Sequence, residues 1–425
     1  MKVQNIFPQI EIHILNQYLI TFGFSIIGAL INFFFFRQVY VNIGEDTFYF
    51  YAYSRRIISF LSPILLLGIG ISLPRAIGHS STDQTAAANL FIVSFSIISL
   101  ASLIWLLLNL FFNKWITGII WGEATLMTQN LNIALAICLL SINITACIHS
   151  YFRGKIDAMT AGTIDILAQS ILPLTAFLLI SNLVSIYYTI SVLVMALNIV
   201  VIYMVLKKAT INVLKRKFFF NHVLELLSYG IRRVPGDIFY SFLVFVPSFF
   251  AGYIFNIQLA GVFAFGLSLL TLFNLPATAI SFVTLSRSAT LIISDRQKLR
   301  EETGYLIIIG LLYSFLVLIV LYYFLDSFLT IFFDKEFLKH SQTLFKLLWA
   351  LPVLVVFTIL RSITDSAYKR PFNSYFIFVA LIVFGAFSIF ALNDSNPLML
   401  IYGNTAAYFS LAFLSLLIVR KTLTR

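Results

Sequence analysis

Residues 311–325 read LLYSFLVLIVLYYFL. A half-buried strand would alternate apolar and polar residues, and a membrane barrel would do so over segments of about 10 residues. Here Leu, Tyr, Phe and Val occupy both parities, and no charged side chain interrupts the run. Widening the window keeps the apolar character from 303 to 325. That is the roughly 20 residues a helix needs to cross a ~30 Å hydrocarbon layer. The stretch reads as a helix in apolar surroundings, and runs of the same kind recur along the chain.

Composition agrees. Of 425 residues, 60% are hydrophobic, 16% aromatic and only 11% charged, with mean hydropathy +0.97; a soluble domain carries roughly 25% charged residues. The expected fold class is an all-α polytopic membrane protein. Spans are expected near 15–37, 47–73, 86–112, 126–151, 160–181, 184–206, 228–255, 259–285, 303–325, 343–362, 372–392 and 397–419, about twelve in all. Lys2, Glu11 and His13 precede the first run without a small-residue cleavage site, so the first span is expected to be retained.

Other chemistry is sparse. Cys138 and Cys147 fall about 13 Å apart along one helix, on roughly opposite faces. They are not expected to pair. The five histidines are scattered, so no metal site is expected, and no G-x-x-x-x-G-K-[ST] occurs. No cofactor is expected. The longest loop on the side away from the termini, DSFLTIFFDKEFLKHSQ (326–342), is largely apolar. That argues against an enzyme such as a membrane glycosyltransferase or polysaccharide polymerase.

An even number of spans puts both termini on one side. Basic residues then divide 19 to 5 in favour of that side, leaving Arg55, Arg56, Arg232 and Arg233 inside or at spans. By the positive-inside bias the termini are expected in the cytoplasm. The basic residues sit between spans, so no nucleic-acid partner is expected.

The chain also matches itself. NIGEDTFYFYAYS (42–54) aligns with NIQLAGVFAFGLS (256–268) at an offset of 214, and FLSPILLLGIGISLPRA (60–76) aligns with FNLPATAISFVTLSRSA (273–289). Tyr18 falls opposite Tyr229, and FRGKID (152–157) opposite LRSITD (360–365). Two six-helix bundles are expected, 1–206 and 223–425, joined by the basic cytoplasmic connector 207–222. Six spans per half gives parallel repeats related by an axis along the membrane normal, with a cleft between them.

The intramembrane charges indicate what that cleft could hold. Charges at bilayer depth are costly and usually face a cavity or a partner. Arg55 and Arg56 lie ~12 Å inside the second span by helical rise. Their repeat partners are Leu269 and Leu270, so the fold itself does not demand the charge. Arg232 and Arg233 open the seventh span beside Pro235 and Gly236, where irregular backbone is expected, and Asp237 can pair with Arg233 at i,i+4. Together these four arginines are the candidate cationic cleft for an anionic cargo held by guanidinium forks. Asp237 and Asp165 are candidates for a cleft ion pair or for binding a coupling ion such as H+ or Na+. Arg75 and Arg287 mark the cytoplasmic exits of repeat-related spans. Without further information the residues lead to a secondary transporter of an anionic or amphiphilic cargo, with a multidrug exporter as the nearer rival.

Two six-span halves, a basic middle loop and YGIRRVPGD (229–237) opening the seventh span resemble the polysaccharide flippases of the multidrug/oligosaccharidyl-lipid/polysaccharide exporter superfamily, of the O-antigen (Wzx-type) kind. The resemblance covers essentially the whole chain. It implies a bacterial inner-membrane protein that moves an undecaprenyl-pyrophosphate-linked oligosaccharide repeat unit from the cytoplasmic to the periplasmic leaflet by alternating access. It also implies work alongside the polysaccharide polymerase and glycosyltransferases of a surface-polysaccharide or lipopolysaccharide pathway. The family segment often has proline where this chain has Arg232.

Overall fold

The computed structural model describes residues 12–79, 84–122, 125–155, 157–207, 223–224, 226–228, 230–231, 234–333, 335–368 and 372–424. The described elements are all helical. They are α1 (Ile12–Ile43), α2 (Glu45–Leu66), α3 (Ile69–His79), α4 (Gln84–Phe111), α5 (Asn113–Trp121), α6 (Leu126–Gly154), α7 (Ala158–Ile166), a π turn (Leu167–Ile171), α8 (Leu172–Leu179) and α9 (Leu183–Lys207). Then come α10 (Val234–Ile254), α11 (Ile257–Phe273), α12 (Leu275–Ser294), α13 (Arg296–Phe332), a 3-10 turn (Lys335–His340), α14 (Ser341–Leu348), α15 (Leu351–Ala367), α16 (Phe372–Asp394) and α17 (Leu398–Thr424).

Ten helical stretches among the described residues are long and apolar enough to cross a membrane. Where their residues are described, the twelve sequence spans fall largely on helix, and several are interrupted. The second span breaks at Leu67 and Gly68, which both have positive φ, 51° and 74°. The eighth breaks at Asn274, between α11 and α12. The fifth carries the π turn just before Pro173, whose missing N–H suits a loosened turn. Pro276 and Pro352 each occupy the first turn of a helix, where proline costs nothing because that N–H has no intrahelical partner. Among the described residues, Pro63, Pro74 and Pro247 sit inside α-helices. The sequence alignment of Pro63 with Pro276 therefore pairs a mid-helix proline with a helix-starting one.

The helices form two compact units that do not follow chain order: 1–34, 65–108 and 136–232 in one, and 35–64, 109–135 and 233–425 in the other. In the first unit, Ile69, Leu73 and Ile77 of α3 present one apolar face to Phe91 of α4, Ile144, Ile148 and Tyr151 of α6, and Val201 and Val205 of α9. Close approach is set by glycine: a Cβ on Gly154 would lie 2.9 Å from Ile77 Cβ. A second such approach explains Gly230 of the YGIRRVPGD segment. A Cβ there would lie 2.7 Å from the Leu67 carbonyl oxygen, and one on Gly68 would lie 2.6 Å from the Gly230 carbonyl oxygen. The break in the second span is thus filled by backbone rather than by a side chain.

In the second unit, α2 runs beside its own repeat equivalent, α11. Gln258 donates to Asp46 and Arg56 donates to Ser268, both at a sequence separation of 212. Gly261 meets Tyr49 at the same separation. A constant separation means that the helices run parallel, and its closeness to the repeat offset of 214 means that each residue touches almost its own counterpart. That happens only where repeat-related helices meet at their two-fold axis. The outward faces remain apolar: on α13, Tyr305, Ile308, Ile309, Leu312, Leu316 and Ile319 are all more than half exposed, as expected of side chains that meet lipid.

Candidate functional site: a cationic cluster in the second unit

Arg56 lies at the centre of this seam. Its residue is 6% exposed. The guanidinium Nε donates to the Ala264 carbonyl at 3.1 Å and an Nη donates to Ser268 Oγ at 2.8 Å. Two of its five N–H donors are thereby committed. Among the described residues no carboxylate forms an ion pair with it. The hydroxyls of Tyr240 and Tyr408 and the guanidinium of Arg55 are within electrostatic range. Adjacent helical residues diverge by about 100°, so Arg55 turns elsewhere. It donates to the Tyr51 hydroxyl at 3.3 Å and lies 5.5 Å from the Phe36 ring centroid.

Arg361 completes the cluster. Its guanidinium stacks 5.0 Å over the Tyr240 ring and contacts Asp365 at 3.8 Å. Asp365 accepts from Asn373 Nδ2 at 2.7 Å, which also donates to the Arg361 carbonyl at 3.2 Å. Counted from the starts of α2 and α17, Arg56 and Tyr408 each lie about 15–17 Å along their helices, about half the depth of a ~30 Å hydrocarbon layer. Arg361 lies in the last two turns of the span Phe337–Ala367 and reaches the same cluster through Tyr240. With Arg55, Arg56 and Arg361 against Asp365, the described part of this cluster carries net positive charge.

The basic-residue count puts Arg361 on the terminal side, at the end of the expected span 343–362, and the helix runs past it. The segment SITDSAY lacks glycine and proline, so α15 continues to Ala367 and carries Arg361 within it. Asp365 is likewise helical. Asp157, its repeat counterpart, is the N-cap of α7 and accepts from Thr160 N at 3.0 Å. Tyr240 and Tyr408 escaped the sequence reading because nothing in their local pattern separates them from ordinary aromatic core. The i,i+4 spacing of Arg361 and Asp365 was the one available signal.

The remaining candidates are dispersed. Arg232 and Arg233 lie outside the described residues. Asp237 sits in the first turn of α10, where a carboxylate suits the helix dipole. Pro235 and Gly236 lie in that same regular turn and not in irregular backbone, because Pro tolerates the first helical turn and Gly236 packs closely on Ser374. Asp165 belongs to the first unit. It accepts from Gln169 Nε2 at 2.5 Å within the turn leading to the π segment, and His149 and Arg153 of α6 are in electrostatic range. Arg75 lies in α3 beside Pro74, and Arg287 in α12. Cys138 and Cys147 are both buried thiols that are not joined in a disulfide.

A parallel seam between repeat-related helices is the architecture of a polytopic fold built from two repeated helix bundles. Solved structures bear out that fold. The chain superimposes on an inward-facing multidrug resistance MATE family transporter of the MOP superfamily with TM-score 0.74 and 16% identity, over 93% of this chain and 94% of the other. An outward-facing multidrug resistance MATE transporter matches at TM-score 0.67 and 15% identity, over 97% and 95%. A MOP superfamily transporter from Pyrococcus furiosus, for which reverse polarity of the binding pocket suggests a different function, matches at TM-score 0.66 and 15% identity, over 96% and 95%. No family model matches the sequence, and no curated protein does. The fold is that of the MOP superfamily transporters, in a multi-pass membrane protein.

Proposed function

We propose that the chain is an alternating-access transporter of a large amphiphile with an anionic head: an oligosaccharide repeat unit linked to undecaprenyl pyrophosphate, moved from the cytoplasmic to the periplasmic leaflet of a bacterial inner membrane, with both chain termini cytoplasmic. The carrying observation is Arg56, a buried guanidinium with donors to spare and no carboxylate pair among the described residues. Buried charge of this kind needs a counter-charge, and a pyrophosphate supplies it through bidentate hydrogen bonds. Arg55, Arg232 and Arg233 extend the same cationic surface in this reading, and Asp165 or Asp237 takes up the coupling ion. The polymerase and glycosyltransferases of the same pathway are the expected partners.

The second reading, a multidrug exporter, has a specific observation behind it: solved relatives with this fold are multidrug resistance transporters. The Pyrococcus furiosus relative shows that polarity within this fold varies, and cationic drugs would be repelled by a positive cluster. One experiment separates the two. Leaflet accessibility of lipid-linked oligosaccharide and cellular drug accumulation are measured in wild type, deletion and Arg56→Met cells. Trapping of the glycolipid on the cytoplasmic side, with drug accumulation unchanged, supports the flippase; normal flipping with raised drug accumulation overturns it in favour of the exporter.

A further inference from the structure

At one end of the α2–α11 seam, the first turns of α2 meet the 3-10 turn Lys335–His340, although the two segments come from opposite halves of the chain. Lys339 Nζ lies 2.6 Å from Glu45 Oε1. The Tyr49 hydroxyl donates to the same carboxylate and lies 2.8 Å from His340 Nε2. A hydroxyl carries one proton. With that proton given to Glu45, the His340 contact requires Nε2–H to donate to the Tyr49 oxygen. A directed chain results, from His340 through Tyr49 to the Glu45 carboxylate, closed from the other side by Lys339.

The surroundings are those of two surfaces pressed together. Gln258 reaches Asp46 at 3.4 Å across the seam. A Cβ on Gly261 would come within 2.5 Å of Tyr49 Cα, so only glycine lets the helices approach this far. Beneath the polar chain, Phe48 and Tyr40 meet Phe333 and Phe337 edge to face at 5.2–5.6 Å. Glu45 and Lys339 stand at the rim, with side chains 24% and 54% exposed, so each regains water when the pair parts.

We propose that the Glu45–Lys339 pair and the His340–Tyr49–Glu45 chain form a latch that holds the two chain halves together at this end and is undone when the seam opens. The proposal rests on the alternating-access reading and not on the identity of the cargo. By the basic-residue distribution this end is the outer one, since Lys335 and Lys339 fall on the side away from the termini. Releasing the cargo there requires this contact to break.

The test uses the full chain in proteoliposomes, with Cys138 and Cys147 replaced by alanine and spin labels on the exposed positions Asn42→Cys and Lys335→Cys. Distance distributions are recorded without cargo. Glu45→Gln and Lys339→Met are each expected to raise the long-distance population about 2- to 5-fold, the range of a partly exposed ion pair. The charge swap Glu45→Lys with Lys339→Glu restores the ion pair but not the acceptor for Tyr49, and is expected to return the population part of the way towards wild type. Gly261→Leu is expected to open the seam by steric wedging regardless of charge. Unchanged distances in both single variants, or a swap that brings no return towards wild type, overturns the latch, and overturns it even if Gly261→Leu shows that the seam itself moves. Because no cargo is present, failure here leaves the glycolipid reading standing, and failure of that reading leaves these distances interpretable.

Discussion

Replacing Arg56 by methionine should separate folding from function. Two hydrogen bonds from a charged donor are lost, to Ala264 O and Ser268 Oγ, worth about 1.5–3 kcal/mol each. Both acceptors keep another partner: Ser268 Oγ itself donates to Ala264 O at 2.8 Å, so the substitution leaves neither stranded. Against this loss stands the removal of a buried, ion-unpaired guanidinium, whose desolvation costs several kcal/mol. The terms oppose one another at similar size, and Met has comparable length and no charge. Arg56→Met is therefore expected to stay within about 2 kcal/mol of wild-type stability, a shift of only a few degrees in Tm for a chain of this size. Transport is another matter. Loss of one charge-assisted contact of about 1.5–3 kcal/mol to an anionic head lowers the rate about 10- to 150-fold. Arg56→Lys keeps the charge but not the planar fork, and should fall between. The assay is glycolipid flipping in proteoliposomes beside a thermal melt of the same preparation. Flipping by Arg56→Met within about threefold of wild type, with the melt unchanged, would refute the assignment of Arg56 to cargo binding.

Gly230→Ala is expected to lower the Tm or the yield of folded protein, because its Cβ would press on the Leu67 carbonyl at 2.7 Å and both clashing groups are backbone; a melt identical to wild type would remove the close approach as the reason for that glycine. Glu45 gives a pH prediction. Burial raises its pKa, but the hydrogen bonds from Lys339 and Tyr49 and the charges of Lys339 and His340 outweigh this and hold it below the ordinary carboxylate value. A depressed carboxylate stabilises the closed rim fully above about pH 5.5 and progressively less as pH falls below about 4.3. The label distances should therefore be flat from neutral pH to about 5.5 and lengthen only in acid. Asp46, Lys339, Tyr40, Tyr49 and His340 are the other titratable groups within reach of the site; burial first, and then the charge of Lys339, hold His340 down to about 4, so it charges in the same acid range and Glu45→Gln is the control that must reduce the acid response.

What the sequence disclosed and what it withheld divide along physical lines. Spans were legible because a chain in lipid must satisfy its backbone within each segment, which forces long apolar runs. The repeat was legible because NIGEDTFYFYAYS and NIQLAGVFAFGLS keep their aromatic phase, and the same two segments meet at the axis. The break at Leu67–Gly68 was not legible, since its cause, Gly230, lies more than 160 residues away along the chain. The same holds for the charged cluster. Arg55 and Arg56 stand out as charges in an apolar run, whereas Arg361, at the end of the expected span 343–362, reads as one more basic residue of the terminal side. Tyr240 and Tyr408 gain their meaning only from the guanidiniums beside them.

The seam also shows why a symmetric fold carries an asymmetric charge. Where equivalent helices cross on a two-fold axis, equivalent residues face one another, and two guanidiniums at that point would repel at close range in a low-dielectric layer. The chain has Arg56 on α2 and Leu270 at the matching place on α11. On α11, the single guanidinium meets the Ala264 carbonyl and Ser268 hydroxyl, both acceptors. Substituting Leu270 by arginine would thus not double the anion site but split the seam. Leu270→Arg in the spin-labelled protein should lengthen the Asn42–Lys335 distances as Gly261→Leu does, while Leu270→Met leaves them unchanged. If Leu270→Arg folds with the wild-type distances, the two positions do not face each other across the axis and the account of the asymmetry fails.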